Sequence, residues 1–533
     1  MTTFRPTVYG YDGMVAAPHH LATLAGVEVL RDGGSAVDAA LAANLVMGVV
    51  WPHMCGAGGD LFAQVWSASD QRLVGLNASG RAGARMTVEA YRERGHAGPR
   101  MPARGPLSVT VPGAVDGWFS LHARWGKLEM PRVFRDAVHY ARTGFAVSRV
   151  LSGAIRGNTE LLRQVGGAAD VLLRNGQAPA PGDRLVQTDL ATTLESIAQQ
   201  GPEFVYRGSL GERLSAYLAE NGSLLSSQDL AAHRSEWVEP ISIQHRGVQV
   251  CELPPNTQGV TLLQMLNMLA PLDVRGLGQA SAELVHEMVE RKKLAFLDRD
   301  RYVADPAYAS VPVDRLLSAE HARELVQSSA AASLAGIGAA GDGDTIYLCA
   351  ADGEGTVVSL IQSLYSGFGS GVLVPGTGVT LHNRGFGFRL EEDHPNALAP
   401  GKRPFHTLIP GFALRDGQPF LAFGTRGADG QPQTGVQVLV NLIDFEQDPQ
   451  AAVEAPRWVH SAPGDRFPKD AVVLESRFGE SVAQNLSARG HQVIVTDPLD
   501  MIMGTVQLIQ IDPSRGCYLG ASDPRGDGCA LAV

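Results

Sequence analysis

Basic runs are missing from this sequence, cysteines are few, and no apolar stretch is long. The 44 Lys and Arg residues stand against 55 Asp and Glu, giving a formal net charge of -11, and the cations are scattered. Nucleic-acid and anionic-membrane surfaces need clustered Lys and Arg to displace counterions, so the balance argues against both partners. Five cysteines (Cys55, Cys251, Cys349, Cys517, Cys529) are odd in number and widely spaced. They suggest neither a disulfide framework nor a CxxC metal pair, and they fit a reducing compartment. The longest apolar run, LAANLVMGVVW at 41–51, is too short to cross a bilayer. The start, MTTFRPTVYGYDGM, has no charged leader followed by an apolar stretch, so the expectation is a cytoplasmic protein.

Catalytic signatures of several kinds are also absent. There is no GxSxG elbow and no HExxH helix. The 15 histidines do not group at metal-ligand spacing, so neither metal nor cofactor is expected. GFGSGVLVPGTG at 367–378 does not follow a strand and open a helix, which discounts a dinucleotide loop. No repeat or low-complexity segment is seen.

What is present reads as a compact enzyme: 533 residues, 44% hydrophobic and 19% charged, with 61 glycines for tight turns. HHLATLAGVEVLRDGG (19–34) has helical spacing and stops at Gly33-Gly34. Ser35 can cap the next helix, AVDAALAANLVMGVV, whose all-round apolarity predicts burial. Further helices are predicted near 113–125, 131–143, 155–164, 280–298, 433–445 and 479–488, so the middle of the chain reads as mostly helical. After 344 the pattern changes. TIYLCAAD, the turn GEG and TVVSLIQSL predict a hairpin, and strands return at 409–424 and 503–525. The pattern predicts an α+β protein with helices layered on antiparallel sheet.

The change falls just after a small-residue connector, SSAAASLAGIGAAGDGD at 328–344, the kind of segment that is commonly nicked. The hairpin then begins with Asp344-Thr345. A threonine hydroxyl needs a neighbouring base, and an N-terminal threonine carries one in its own α-amine. Thr345 is therefore either an ordinary strand residue or a nucleophile exposed when the Asp344–Thr345 bond is cut. Ser363 falls on the partner strand of the hairpin, either as a polar face residue or as a group that holds Thr345. FGTRGADGQP at 423–432 is either a plain turn or a set of backbone N–H groups aimed at an oxyanion. Cys55, two residues after His53, offers a competing cysteine-hydrolase reading, set against burial as a structural thiol.

Three long stretches together resemble one family. GMVAAPHHLATLAGVEVLRDGGSAVDAALAANLVMGVVWPHMCGAGGDLF (13–62) is similar to the opening signature of the γ-glutamyltranspeptidases, members of the N-terminal nucleophile hydrolases. GDTIYLCAADGEGTVVSLIQSLYSGFGSGVLVPGTG (343–378) resembles their nucleophile region, and GTVQLIQIDPSRGCYLGASDPRGDG (504–528) their closing segment.

The resemblance implies an α+β fold, a four-layer αββα sandwich, made from one precursor. Self-cleavage between Asp344 and Thr345 would give a large chain of 1–344 and a small chain of 345–533, intertwined, with a dimer of such heterodimers as one assembly open to them. Thr345 matches the nucleophile, and Ser363 the position of a threonine that hydrogen-bonds it. Gly427 and Ala428 match paired glycines whose N–H groups form the oxyanion hole.

Substrate-holding positions depart from the family. Tyr365 stands where an asparagine is usual, Arg384 where a glutamine is, Gly387 where an aspartate is, and His406-Thr407 where two serines are. Losing the aspartate removes a partner for a substrate ammonium, and Arg384 offers one for a carboxylate. A substrate arginine falls on Ser79, with Arg81 two residues on either replacing it or serving as a surface charge. The segment between Phe388 and Arg403 is short for a lid, implying an open pocket.

The implied activity is hydrolysis, favoured over transfer, of γ-glutamyl or related carboxy-acyl amides through an acyl-threonine. Glutaryl (cephalosporin) acylase and oxamate amidohydrolase activities are the alternatives on the same fold. An uncleaved, non-catalytic binding protein is the alternative of another class.

Overall fold

The computed structural model describes residues 3–164, 167–328, 343–462, 464 and 466–533. The connector read at 328–344 lies outside them except at its ends. The chain is continuous through Asp344–Thr345, inside the strand Asp344–Asp352.

Two seven-stranded sheets, antiparallel throughout, organise the molecule. One runs Cys529–Ala532, Gly13–Ala17, Asp344–Asp352, Val357–Tyr365, Asp60–Ser67, Arg72–Ala78 and Glu236–Val238 in spatial order. The other runs Val8–Gly10, Cys517–Ser522, Gln507–Asp512, Gln418–Gly424, Gly411–Arg415, Val248–Glu252 and Ile241–His245. Residues before and after position 344 contribute to both, so the two parts of the chain are interwoven.

Strand alternation sorts side chains between layers. From Asp344–Asp352, Tyr347, Cys349 and Ala351 join Phe62, Trp66 and Ile361 in a core shared with Phe412, Ala422 and Ile509 of the second sheet. Ile346, Leu348 and Ala350 point the other way, into a core with the helices His20–Arg31 and Ala36–Val50. On the far side, Ala413, Leu421 and Leu508 pack against Gly259–Leu269, Ala282–Tyr302 and Gly430–Leu439. The arrangement is mixed α+β, with two large antiparallel sheets consistent with a helix–sheet–sheet–helix sandwich.

Local chemistry accounts for the elements. Ser35 and Asp38 form a reciprocal capping box that starts Ala36–Val50, and Gly33 ends the preceding helix at φ +87°. Asp416 and Gly417, at φ +53° and +75°, make the two-residue turn joining Gly411–Arg415 to Gln418–Gly424.

Two expectations need correction. The helix expected over 155–164 is two, Arg149–Gly157 and Thr159–Gln164, because Asn158 caps the first by donating its side-chain amide to the Ala154 carbonyl. The helix expected over 433–445 ends as α-helix at Leu439 and continues as a π turn over Val440–Asp444. The middle of the chain is mostly helical, as expected, but it also holds Glu236–Val238, Ile241–His245 and Val248–Glu252, which supply strands to both sheets. Among the described residues no helix is long and apolar enough to cross a membrane.

Candidate active site

Asp344 pairs with Tyr365 and Ile346 with Gln362, so the hairpin register slips by one residue at Thr345. Such an irregularity re-aims side chains, and here it turns the Thr345 and Ser363 hydroxyls to one point. Thr345 Oγ1 donates to Ser363 Oγ at 3.1 Å, and Ser363 Oγ donates to the Asp344 carbonyl at 2.7 Å. The Tyr365 N–H donates to the same serine oxygen at 2.7 Å. Thr345 is 1% exposed.

Tyr365 ends the strand at φ +81°, a backbone region costly for a bulky side chain. That bend lays its ring against the Arg384 guanidinium, 4.0 Å from the ring centroid. Arg384 is 1% exposed, donates to Thr407 Oγ1 at 3.1 Å, and reaches 3.5 Å from Ser363 Oγ. Burial lowers its pKa to about 10, the nearby Tyr365 and Asp60 opposing that drop. Among the described residues Arg384 forms no ion pair with a carboxylate. The Tyr365 hydroxyl is buried without a hydrogen-bond partner there, and burial pushes its pKa up to about 12. It stays a proton donor at neutral pH.

Across from the hairpin, the turn after Gln418–Gly424 carries Gly427 at φ +119° and Ala428 at φ +43°. Neither N–H donates to another described group, and a Cβ at Gly427 would meet no atom of the described residues within 4 Å. The turn is braced from behind. Gln258 Nε2 donates to the carbonyls of Ala428 and Thr407, both at 2.9 Å, and Arg299 donates to Gln258 Oε1 at 3.1 Å and to Asp429 at 2.8 Å. Gly343 packs onto this turn so closely that a Cβ there would lie 2.3 Å from the Ala428 Cβ. Arg426, just before the turn, sits 3.5 Å from the Asp344 carboxylate.

The structure thus brings Thr345, Ser363, Asp344, Tyr365, Arg384 and Thr407 together, with Gly427 and Ala428 facing them. Arg81 stands apart from this cluster, and His406, beside Thr407, turns its ring to Asp60 instead. His406 is buried, its ring held by the Asp60 carboxylate at 3.1 Å and edge-on against Phe62. Burial, then Arg384, holds it neutral with a pKa lowered to about 3. Asp60 also accepts from the N–H groups of Gly80 and Gly113. Burial alone would raise its pKa, but His382, His406 and Arg384 together hold it below the usual carboxylate range. Arg81 pairs with Glu236 at 2.6 Å and lies 3.7 Å from Asp305. Ser79 is tied to Asn77, and Arg403 donates to its carbonyl.

Cys55 is buried, with its thiol pushed up by burial, and no hydrogen bond joins it to His53. His53 is itself held neutral at about 3 by burial and then Arg426. Neither residue has the charge state a cysteine nucleophile needs.

The expectation that no histidines group like metal ligands is corrected in one place. His286 and Glu290, one helical turn apart, meet His491 with ligand atoms within 4.8 Å of one another. The H-x3-E spacing was readable, but its third member comes from another element. Its members are already engaged: the two rings share a 2.8 Å hydrogen bond, and Glu290 pairs with Lys293 at 2.8 Å. Arg426, Gln258, Arg299 and Asp60 were missed by sequence reasoning. Only Arg426 and Asp429 had a local signal, as charges flanking the Gly427-Ala428 turn.

A family profile described as Gamma-glutamyltranspeptidase matches residues 22–533. The chain is 39% identical to the Glutathione hydrolase-like YwrD proenzyme of Bacillus subtilis, over 99% of each chain. It is 38% identical to the Oxamate amidohydrolase proenzyme of Klebsiella pneumoniae, over 97% of this chain and 98% of that one. The crystal structure of cephalosporin acylase from Bacillus halodurans superposes with a TM-score of 0.92 at 38% identity, covering 100% of this chain and 98% of that chain.

Proposed function

The chain belongs to the γ-glutamyltranspeptidase family, and from that premise we propose that it is a self-cleaving amidohydrolase in which Thr345 is the nucleophile. The supporting observation is the Ser363 hydroxyl, which touches both the Thr345 hydroxyl and the Asp344 carbonyl. Attack of Thr345 Oγ1 on that carbonyl forms a C–O bond and breaks the C–N bond, and water resolves the resulting ester. The products are a large chain of 1–344 and a small chain of 345–533, held together in a four-layer αββα sandwich by the interwoven sheets.

In the mature enzyme the freed α-amine takes the proton from Thr345 Oγ1 as the hydroxyl attacks a substrate amide. The oxyanion forms against the N–H groups of Gly427 and Ala428, which have no other acceptor among the described residues. The amine leaves with the transferred proton, and water releases the acid. Hydrolysis is favoured over transfer to a second amine.

The acyl part carries a carboxylate. Arg384 and Arg426 put two cations near Thr345, and Gly387 supplies no counter-ion for a substrate ammonium. Tyr365 offers a spare donor and Thr407 helps hold Arg384. Relatives named for glutathione hydrolysis, oxamate hydrolysis and acylase activity support a carboxy-acyl amide as the substrate class.

Intact mass spectrometry tests the first half, since two fragments, the smaller beginning Thr-Ile-Tyr, are expected. A single full-length mass after prolonged incubation would instead support a non-catalytic binding protein. A panel of glutathione, glutaryl amides and oxamate tests the second. Cleaved protein inactive on all three would overturn the substrate reading.

A further inference from the structure

The uncut chain already holds an acyl group in its own site. When Thr345 Oγ1 bonds to the Asp344 carbonyl carbon, the peptide C–N bond breaks and the hydroxyl proton passes to the freed α-amine. The product is an ester between Asp344 and Thr345 Oγ1, the same chemical species as the acyl-threonine of substrate turnover. Water then divides it into the Asp344 carboxylic acid and the Thr345 hydroxyl. Asp344 is therefore the first acyl group this enzyme processes.

That acyl group has a particular shape. Two carbons, Cα and Cβ, separate its carbonyl carbon from its side-chain carboxyl carbon. Arg426 Nη1 stands 3.5 Å from the carboxylate. Arg426 is placed to meet acyl groups generally, because it directly precedes the Gly427–Ala428 turn. Its side chain is only 11% exposed, and among the described residues its Nε is buried without a hydrogen-bond partner while Nη1 also lies 3.9 Å from the Met54 sulfur. Burial in such surroundings makes a guanidinium dependent on an anion for compensation. Once the chain is cut, Asp344 belongs to the C-terminus of the large chain and can withdraw, leaving Arg426 to a substrate carboxylate.

We propose that Arg426 sets acyl specificity in the mature enzyme, selecting amides of a four-carbon dicarboxylic acid, R–NH–CO–CH2–CH2–COO⁻, with Asp344 of the precursor as the built-in template. This rests on the acyl-threonine reading above. It goes further in fixing the distance between scissile carbonyl and carboxylate, which is one carbon shorter than in a glutaryl or γ-glutamyl group and two longer than in oxamate.

Ammonia release from malonamate, succinamate, glutaramate and neutral butyramide, which matches succinamate in length, reads the chain-length preference. Succinamate should have the highest kcat/KM. Arg426→Gln should lower the succinamate-to-butyramide ratio by about 10- to 100-fold, as loss of a charge-assisted hydrogen bond does. Should that variant stay uncut, inhibition of the mature wild type by free succinate, glutarate, malonate and butyrate decides, with succinate expected to bind tightest. A different best length, an unchanged ratio, or succinate no better than butyrate overturns the proposal. Hydrolysis of p-nitrophenyl butyrate reads acyl-threonine chemistry alone. Turnover of it without a succinyl preference sinks only this inference, whereas its failure in protein with a free Thr345 terminus sinks the reading beneath it.

Discussion

The Ser363 hydroxyl donates to the carbonyl oxygen of Asp344 at 2.7 Å. It accepts from Thr345 Oγ1 at the same time, so one oxygen lies between the attacking hydroxyl and the oxygen that becomes negative. Attack can then pass a proton from Thr345 to Ser363 while Ser363 protonates or stabilises the developing oxyanion. Ser363→Ala removes that donor and should slow self-cleavage by about 100-fold, the usual scale for one oxyanion donor. Ser363→Thr should cleave at close to the wild-type rate. Intact mass against time after purification measures both, and rapid cleavage of the alanine variant would refute the role.

Gly343 is the second contact that cleavage depends on. It holds φ +53°, and a Cβ there would lie 2.3 Å from the Ala428 Cβ and 2.9 Å from the Ala428 nitrogen. Gly343→Ala must therefore both adopt a left-handed backbone, costing about 1–2 kcal/mol, and push the Ala428 turn away. Cleavage should slow by at least roughly tenfold, since 1.4 kcal/mol is a factor of ten. Adding Ala428→Gly should recover part of the loss, because it removes the clash but not the strain. If the two changes are simply additive, the contact does not matter to cleavage.

Arg384 lies 3.5 Å from Ser363 Oγ and is 1% exposed. A cation so placed disfavours a second positive charge on the α-amine that cleavage creates at Thr345. Activity should rise with pH as that amine loses its proton, with a midpoint below the ordinary terminal-amine range of about 7.7–8.0. Arg384→Met removes the repulsion, so the midpoint of the kcat/KM profile should move upward. A variant that loses activity with an unmoved midpoint would show that Arg384 acts on the substrate alone.

The helices with caps and stops were legible because each signal is local: Ser35 with Asp38, and Gly33 at the end of its helix. The Asp344–Thr345 hairpin and its partner Ser363 were legible for the same reason, since a short turn sets the pairing. Asp60–Ser67 and Arg72–Ala78 were not. Asp60–Ser67 is buried on both faces between helices and the second sheet, so it lacks the polar alternation that marks a half-exposed strand. The pairing of Arg426 with Asp344, the contact of Gly343 with Ala428 and the Gln258–Arg299 brace join segments dozens to hundreds of residues apart. No local pattern encodes them. His406 shows the converse, because a polar residue in a matching sequence position is drawn instead into a buried pair with Asp60.

Cys55 is buried beside a neutral His53, and burial pushes its thiol up. Cys55→Ala should keep amidase activity within about twofold and cost roughly 1 kcal/mol of stability, the typical effect of a point change. Loss of turnover in a correctly cleaved Cys55→Ala protein would restore the cysteine-hydrolase reading.

Lys292 gives a pH signature of stability that is independent of catalysis. Its ammonium is buried, 3.0 Å from His460 Nδ1, and its pKa is lowered to about 7 by burial first and by Arg299 second, against Asp429, Asp300 and Asp470. His460 is in turn held neutral at about 2, so it accepts from Lys292 and donates to Asp470. An unfolded lysine titrates near about 10.4. Between the two values the unfolded chain binds a proton that the native one lacks, so stability falls as pH is lowered from about 10 to about 7, by at most ~1.4 kcal/mol per unit, and then levels off. Lys292→Met removes this slope and also the hydrogen bond to His460, a loss that is the same at every pH. Relative to its parent the variant should therefore gain most at pH 7 and least at pH 10. Calorimetric Tm values at both, in a Thr345→Ala background that keeps one uncut chain, measure the difference. A gain that does not change with pH would mean that Lys292 keeps its proton throughout that range.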